Sequence, residues 1–396
     1  MGRFRIPKAP VLKKDYTVCP WTKGLRIQKP TEEGRRILKE GVALDDLLNA
    51  MFLDYHYNRQ KSDLVTRTIK QQGYIVRNDN EVMLQINVPF CYCRCFNCKR
   101  VMTQINDADD VLIYYYDALK KEVDLAREII KQKCYVIKAV CYTGNLLSLT
   151  EDKMEELLAL GAYSISETSV EIEHPYFVTQ SKLELLKKYN VTRIILNPLT
   201  FNMTSLRKLC RKYDFKEFYN MYRMITSLGF DINLSFVAGL LDEHHLQLTR
   251  NLQSAIDMGA TNIDIYTRTC PHNPEDLPLT DINRIAELRK IQEEIYNFMI
   301  SKGYEPYFVY NNEVDSSCIE NVGYTIPGKK CEYITDIVEG ISTIIGCGTS
   351  AENVVIKNLH NQRVVQKNTY DIGQYILGID EYLEKKKEFF DLTIYN

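Results

Sequence analysis

The chain has 396 residues, 45% hydrophobic and 26% charged, with a formal net charge of −2 at pH 7. That balance suits a folded protein of one large domain or two to three smaller ones and argues against non-specific nucleic-acid binding. No run approaches the roughly 20 apolar residues of a membrane span, so no membrane partner is expected.

The opening MGRFRIPKAPVLKKDY is basic but has no apolar core, and Ile6 does not complete a myristoylation pattern. The expectation is therefore a cytoplasmic protein, in which the 12 cysteines are ligands, catalysts or core residues before they are disulfides. Residues 1–82 read as an N-terminal extension, mostly helical or irregular.

From about residue 83 the pattern alternates. Apolar, β-branched runs at VMLQINV, CYVIKAVCY, SETSVEI, TRIILN, DINLSFVAG and NIDIYT predict strands. Between them lie stretches of helical period, several closed by glycine at Gly161, Gly229, Gly259 and Gly303. Six strands each followed by a helix imply parallel βαβ units with right-handed crossovers. Six repeats are too few for a closed eight-stranded barrel, so the predicted fold is α/β, an open partial (β/α)6 barrel over residues 83–303. Residues 304–396 predict a small α+β C-terminal region with short strands at YEPYFVY and STIIGCG and a charged final helix.

PFCYCRCFNCKR, residues 89–100, follows the first strand directly and places four cysteines within eight residues. Loops at the carboxyl ends of parallel strands are where such sheets build their sites. Choosing Cys91, Cys95 and Cys98 gives C-x3-C-x2-C, a spacing that can wrap three thiolates around a cubane [4Fe–4S] cluster and leave one iron open for chemistry. Two other readings compete. Structural zinc usually takes two separated ligand pairs, and no partner C-x2-C or H-x3-H occurs elsewhere; incidental core cysteines rarely crowd so closely beside Arg94, Lys99 and Arg100.

INVPFCYCRCFNC resembles the cluster motif of radical S-adenosylmethionine (SAM) enzymes, in particular that of the oxygen-independent coproporphyrinogen III dehydrogenase-like family. TSVEIEHP, TRIILNPLTFN, LGFDINLSFVAGL, ENVGYTIPGKKCEY and TIIGCGTSA are similar to later motifs of that family, in the same order, so the resemblance spans about residues 83 to 355. It implies a [4Fe–4S] cluster on Cys91, Cys95 and Cys98, SAM bound to the open iron, and a 5′-deoxyadenosyl radical that abstracts hydrogen from a small-molecule substrate. An electron donor such as flavodoxin or ferredoxin is implied as partner. Glu171 matches the carboxylate that receives the SAM ribose hydroxyls, Arg211 the arginine that pairs its carboxylate, and Gly144 the surviving glycine of a glycine-rich loop. On the residues alone, Glu171 would be an exposed strand residue and Arg211 a solvated helix cation.

The departures are specific. The family's GGGTP is YTGNL at residues 142–146, its ribose-contacting glutamine is Leu199, and its aspartate on the fifth strand is Ser235. Gln85 and Asn87 replace a tyrosine and a histidine before the cluster loop, Arg100 replaces a further cysteine, and Cys93 falls inside the spacer as a bystander. The basic RQKN of the branch that the C-terminal motifs resemble is NNEV here, Asn311–Val314, which poorly suits the four propionates of coproporphyrinogen. Arg94, Arg100, Arg223 and Arg268 are the remaining candidate substrate cations.

The predicted function is a diverged radical SAM enzyme, an oxidoreductase or a methyl or alkyl transferase. A coproporphyrinogen dehydrogenase and a non-catalytic haem or cluster carrier are the alternatives. Asp242–His245 is read as solvated capping sequence, Cys318, Cys331 and Cys347 as fitting no compact motif, and Cys134, Cys141, Cys210 and Cys270 as small core residues.

Overall fold

The structure, a computed structural model, describes residues 25–27, 80–93, 103–104, 110–161, 163–240, 243, 245–267, 282–311, 321–339, 342–357 and 362–392. The alternation predicted from about residue 83 is present. It begins with β1 (Glu81–Val88), α1 (Asp110–Gln132), β2 (Val136–Gly144), α2 (Glu151–Gly161), β3 (Glu167–Ile172) and α3 (Gln180–Lys188). It continues through β4 (Arg193–Leu199), α4 (Met203–Lys208), α5 (Phe215–Ser227), β5 (Asp231–Ala238), α6 (His245–Asp257), β6 (Asn262–Thr267) and α7 (Ile282–Ser301). Beyond these lie β7 (Glu305–Asn311), β8 (Asn321–Thr325), α8 (Glu332–Glu339), β9 (Thr343–Cys347), β10 (Glu352–Lys357), β11 (Gln362–Lys367), α9 (Ile372–Leu377) and α10 (Ile379–Leu392).

Local chemistry sets the helix ends. Thr179 caps α3 by accepting from the Lys182 N–H, and Asn202 caps α4 by accepting from Thr204 and Ser205. Asp214 and Glu217 form a reciprocal capping box at the start of α5. Gly229, Gly259 and Gly303 all take positive φ just past their helices, as their place in the sequence predicts, whereas Gly161 does not.

Contacts divide the chain into two compact units. In one, residues 79–234 with 331–396, β1 pairs in parallel with β2, β2 with β3, and β3 with β4. β9 joins the other edge of β1, also in parallel, and continues antiparallel into β10 and β11. Val82, Met83, Leu84, Ile86 and Val88 of β1 are all fully buried, as a parallel strand covered on both faces requires. In the other unit, residues 235–330 with Leu25–Ile27, β8 pairs antiparallel with both β6 and β7, and Leu25–Ile27 pairs antiparallel with β7.

A buried polar ladder ties the C-terminal helices to the strand that precedes the cysteine loop. Lys386 on α10 meets Glu122 on α1 at 3.1 Å, both side chains being almost wholly buried. The same carboxylate accepts from Gly348 N–H at 2.7 Å, from the Tyr375 hydroxyl at 2.5 Å and from the Asn368 amide at 2.9 Å. Buried charge is tolerated when every lone pair is matched in this way. Farther along, Tyr115 donates to the Asn87 carbonyl at 2.9 Å and accepts from Thr349 N–H at 3.0 Å, while the Asn87 amide donates to the Thr349 carbonyl at 2.8 Å. Asn87 also receives the Thr143 hydroxyl at 3.2 Å, so the carboxyl ends of β1 and β2 are cross-linked by side chains as well as by the sheet.

No described helix is long and apolar enough to cross a membrane.

Candidate cofactor site at the strand ends

The carboxyl ends of β1, β2 and β3, with the turn after α4, carry the described residues of interest. Cys91 and Cys93 lie just past β1 and are both buried; Cys95 and Cys98 lie outside the described residues. Burial pushes the Cys91 thiol up to about 11, against the lowering effects of a hydrogen bond from the Cys93 backbone and of Arg211, while Glu173 adds to the rise. Cys91 therefore sits within electrostatic reach of both Glu173 and Arg211.

Gly144 ends β2 at φ +79°, a conformation that favours glycine. A Cβ there would overlap the Val88 carbonyl and the Asn87 side chain. The space is used: the Gly144 N–H donates to Glu171 Oε2 at 2.9 Å, fixing a carboxylate that is itself buried at the end of β3. Glu171 is thus not the exposed strand residue that its type alone would suggest.

Asn145 follows, fully buried, with its N–H on the Val88 carbonyl at 2.8 Å and its carbonyl accepting from Ser148. Both ends of its side-chain amide lack a hydrogen-bond partner among the described residues. The Ser205 hydroxyl at the start of α4 and His174 Nε2 beyond β3 are orphaned in the same way. Buried polar groups almost always find partners, so these three groups, one after each of three strand ends, are candidates for contact with a polar ligand.

Arg211 is buried rather than solvated. It donates to the Tyr213 hydroxyl at 2.9 Å and stands 3.8 Å from Glu173, which also accepts from Asn197 at 3.0 Å. At that separation the ion pair with Glu173 is loose. Leu199 ends β4 at φ +65°. A left-handed backbone in a branched residue stores roughly 1–3 kcal/mol and is commonest where function over-determines the structure.

The donor set fits an iron–sulfur cluster with SAM. Thiols at Cys91 and Cys93 open the loop, a fixed carboxylate at Glu171 suits a diol, and a buried guanidinium at Arg211 suits a carboxylate. Among the described residues, which do not include Cys95 and Cys98, no three His, Cys, Asp or Glu converge to hold a metal.

Cys331 and Cys347 occupy separate buried pockets, Cys331 donating to Glu167 at 3.3 Å and Cys347 lying 3.4 Å from Lys386 Nζ. Cys134 and Cys210 are exposed rather than core residues, and each takes positive φ at a turn, 53° and 58°. Cys141 is buried as expected, and Cys270 lies outside the described residues. Arg223 is exposed on α5; Arg94, Arg100, Arg268, Cys318, Asp242, His244 and residues 312–314 lie outside the described residues. Asn145, Glu173, His174 and Ser205 were not singled out by sequence. The available signal was a polar residue within a few positions of a strand end.

Comparison with known proteins bears on the superfamily and the fold. The radical SAM superfamily model matches residues 88–251. The oxygen-independent coproporphyrinogen-III oxidase-like protein HemZ of Bacillus subtilis is 23% identical over 378 residues, covering 92% of this chain and 75% of HemZ. The heme chaperone HemW of Buchnera aphidicola subsp. Schizaphis graminum is 22% identical over 321 residues, covering 78% of this chain and 80% of HemW. Among solved structures, coproporphyrinogen III oxidase (HemN) from Escherichia coli aligns with a TM-score of 0.60 at 17% identity, over 78% of this chain and 71% of that one, and shares its α/β fold. Radical SAM proteins use a [4Fe–4S] cluster and SAM, and this chain, with its cysteine loop at the end of β1, carries a radical SAM domain homologous to the coproporphyrinogen-III oxidase-like proteins.

Proposed function

We propose that this protein is a radical SAM enzyme, a diverged paralogue of the coproporphyrinogen dehydrogenases, that abstracts hydrogen from a small organic substrate in a biosynthetic or tailoring pathway. The observation that carries the reading is the pair of buried charged groups past the strand ends, the Arg211 guanidinium 3.8 Å from Glu173 and the Glu171 carboxylate fixed by the Gly144 N–H, with the buried Cys91 just past β1.

In this reading Cys91, Cys95 and Cys98 hold the cluster. Glu171, held by the Gly144 N–H, accepts from the ribose hydroxyls. Arg211 balances the SAM carboxylate, and Gly144 keeps the strand end free of a side chain. When bound, the cluster and SAM supply reductive C–S cleavage and hydrogen-atom abstraction. The chain's own contribution is to orient the cofactor, to exclude water by burial, and to compensate charge in a place where each interaction is stronger than in solvent.

The substrate argument is one of charge. Four propionates need cationic partners, and NNEV offers an acidic residue where the branch that the C-terminal region resembles has basic ones. Similarity to HemW, named as a heme chaperone, supports a second reading, a haem carrier without turnover. Anaerobically reconstituted protein, reduced with dithionite and supplied with SAM, separates them. Release of 5′-deoxyadenosine over several turnovers supports the enzyme. Stoichiometric haem binding with no release would overturn it.

A further inference from the structure

His174 lies two residues beyond β3 and is 4% exposed. It caps the short 3-10 turn Pro175–Phe177 by accepting the Tyr176 N–H on Nδ1 at 3.1 Å. A ring nitrogen that accepts from an N–H carries no proton, so the proton of the neutral ring resides on Nε2. That Nε2–H is buried and has no hydrogen-bond partner among the described residues.

Packing holds the donor where it is. The imidazole lies 4.8 Å from the Tyr92 ring at 40° and 5.2 Å from the Tyr213 ring at 81°. Tyr92 is the residue between Cys91 and Cys93, and Tyr213 is the residue that receives the Arg211 hydrogen bond. Tyr92 is fixed in turn by stacking on Tyr176 at 4.3 Å. His174 therefore contacts both the cysteine loop and the partner of the buried arginine, and presents an unused donor of fixed tautomer. A buried donor left unpaired forfeits its hydration, so a fold that immobilises one between two aromatic rings has an acceptor for it.

We infer that His174 is a cofactor-binding residue whose Nε2–H donates to an anionic acceptor held in this site, either a sulfur of the cluster or the carboxylate of SAM. This rests on the radical SAM reading. Either acceptor gains a charge-assisted bond. At a cluster sulfur the bond stabilises the reduced, more negative state and raises the reduction potential.

The test uses full-length protein reconstituted anaerobically. His174→Asn keeps an oxygen that accepts the Tyr176 N–H but removes the distal donor. His174→Gln restores a donor on a longer side chain, and His174→Phe keeps the ring packing alone. Iron content is measured first, then the midpoint potential without SAM by redox titration followed by electron paramagnetic resonance, then SAM affinity by calorimetry. A more negative potential in the Asn and Phe variants, partly restored in Gln, assigns the acceptor to the cluster. An unchanged potential with SAM binding weakened about tenfold, the loss expected of a hydrogen bond to a charged group, assigns it to SAM. A potential and an affinity that both match wild type would overturn the inference alone, as a bound water satisfying the donor would produce. A wild-type protein that assembles no cluster would overturn it together with the radical SAM reading.

Discussion

The backbone N–H of Gly144 and the carboxylate of Glu171 meet at 2.9 Å across the parallel pair β2 and β3. The bond uses one lone pair of one carboxylate oxygen and fixes the position of the whole carboxylate at the end of β3. The glycine position also excludes a side chain, since a Cβ at residue 144 would overlap the Val88 carbonyl.

Glu171→Gln should therefore leave the fold intact and weaken SAM binding modestly, because an amide oxygen can still accept one bond. Glu171→Ala should cost about 1.5–3 kcal/mol of SAM affinity, the range for a lost hydrogen bond to a charged group. Gly144→Ala should lower the melting temperature as well as the affinity, through the positive φ and the overlap with Val88. Calorimetry and thermal unfolding on the same preparations read both effects. Equal affinity in Glu171→Ala and wild type would remove Glu171 from the site.

Arg211 has a protein carboxylate within reach, Glu173 at 3.8 Å, as well as the ligand carboxylate assigned to it. Arg211→Ala should weaken SAM binding by about 2–4 kcal/mol, since a buried charge is left without its partner. It should also harm the cluster loop, because Glu173 raises the Cys91 thiol while Arg211 lowers it. Glu173→Gln in the Arg211→Ala background should recover part of any iron lost. Iron retention and SAM affinity both unchanged in Arg211→Ala would sink the assignment.

The strand–helix alternation was legible because fully buried parallel strands are written as short β-branched runs and their helices as 3.6-period stretches closed by glycine or capped by Thr179, Asn202 and Asp214. Positions carried by local motif, such as Cys91, Gly144 and Glu171, were legible in the same way. What escaped was decided by tertiary packing. Nothing local marks the Asn145 amide as partnerless or His174 as clamped between Tyr92 and Tyr213, since both facts depend on residues that are distant in sequence. The burial of Arg211 was missed for a related reason: it sits among Arg207, Lys208 and Lys212, and composition reads such a run as solvated.

The ligand choice at the cysteine loop makes its own prediction. Changing Cys91, Cys95 or Cys98 to Ala should abolish a cubane of about four irons per chain, while Cys93→Ala should retain it. Cys93 is buried and its backbone helps to lower the Cys91 thiol, so the variant keeps that contact. Iron assay and absorbance after anaerobic purification decide the matter. Iron loss in Cys93→Ala as complete as in the other three would show that the ligands are misassigned.

Stability should fall in alkali. Burial pushes the Cys347 thiol up to about 12 from its ordinary 9.0, and burial likewise raises the Tyr115 and Tyr375 hydroxyls. Across that range the unfolded chain releases protons that the folded chain retains, so the unfolding free energy declines as pH climbs from 9.0 toward 12. Lys386 acts in the same direction: burial pulls its ammonium down, but Cys347 and Glu122 outweigh burial and hold it above 10.5, so its stabilisation is present below that value and lost above it. Urea unfolding at several pH values should show the decline, and Cys347→Ala should flatten it. A pH profile identical in wild type and Cys347→Ala would contradict the assignment.

The ion pair between Lys386 and Glu122 gives the largest predicted effect on stability. Lys386→Met leaves the Glu122 carboxylate buried with Gly348, Tyr375 and Asn368 as donors but no compensating charge, which should cost about 3–5 kcal/mol. Glu122→Gln should cost a comparable amount by stranding the ammonium beside Cys347 and the Gly346 carbonyl. Replacing both, as Glu122→Gln with Lys386→Met, removes the charges together and should cost less than the sum of the two single changes, because a buried pair roughly balances its own desolvation. The ladder from Glu122 through Tyr115 reaches Asn87, four residues before Cys91, so the single variants should also lose iron faster in air than wild type. Denaturant unfolding of the cluster-free chains measures the first effect and the decay of cluster absorbance in air the second. Strict additivity of the two single changes would mean that the pair does not act as a unit.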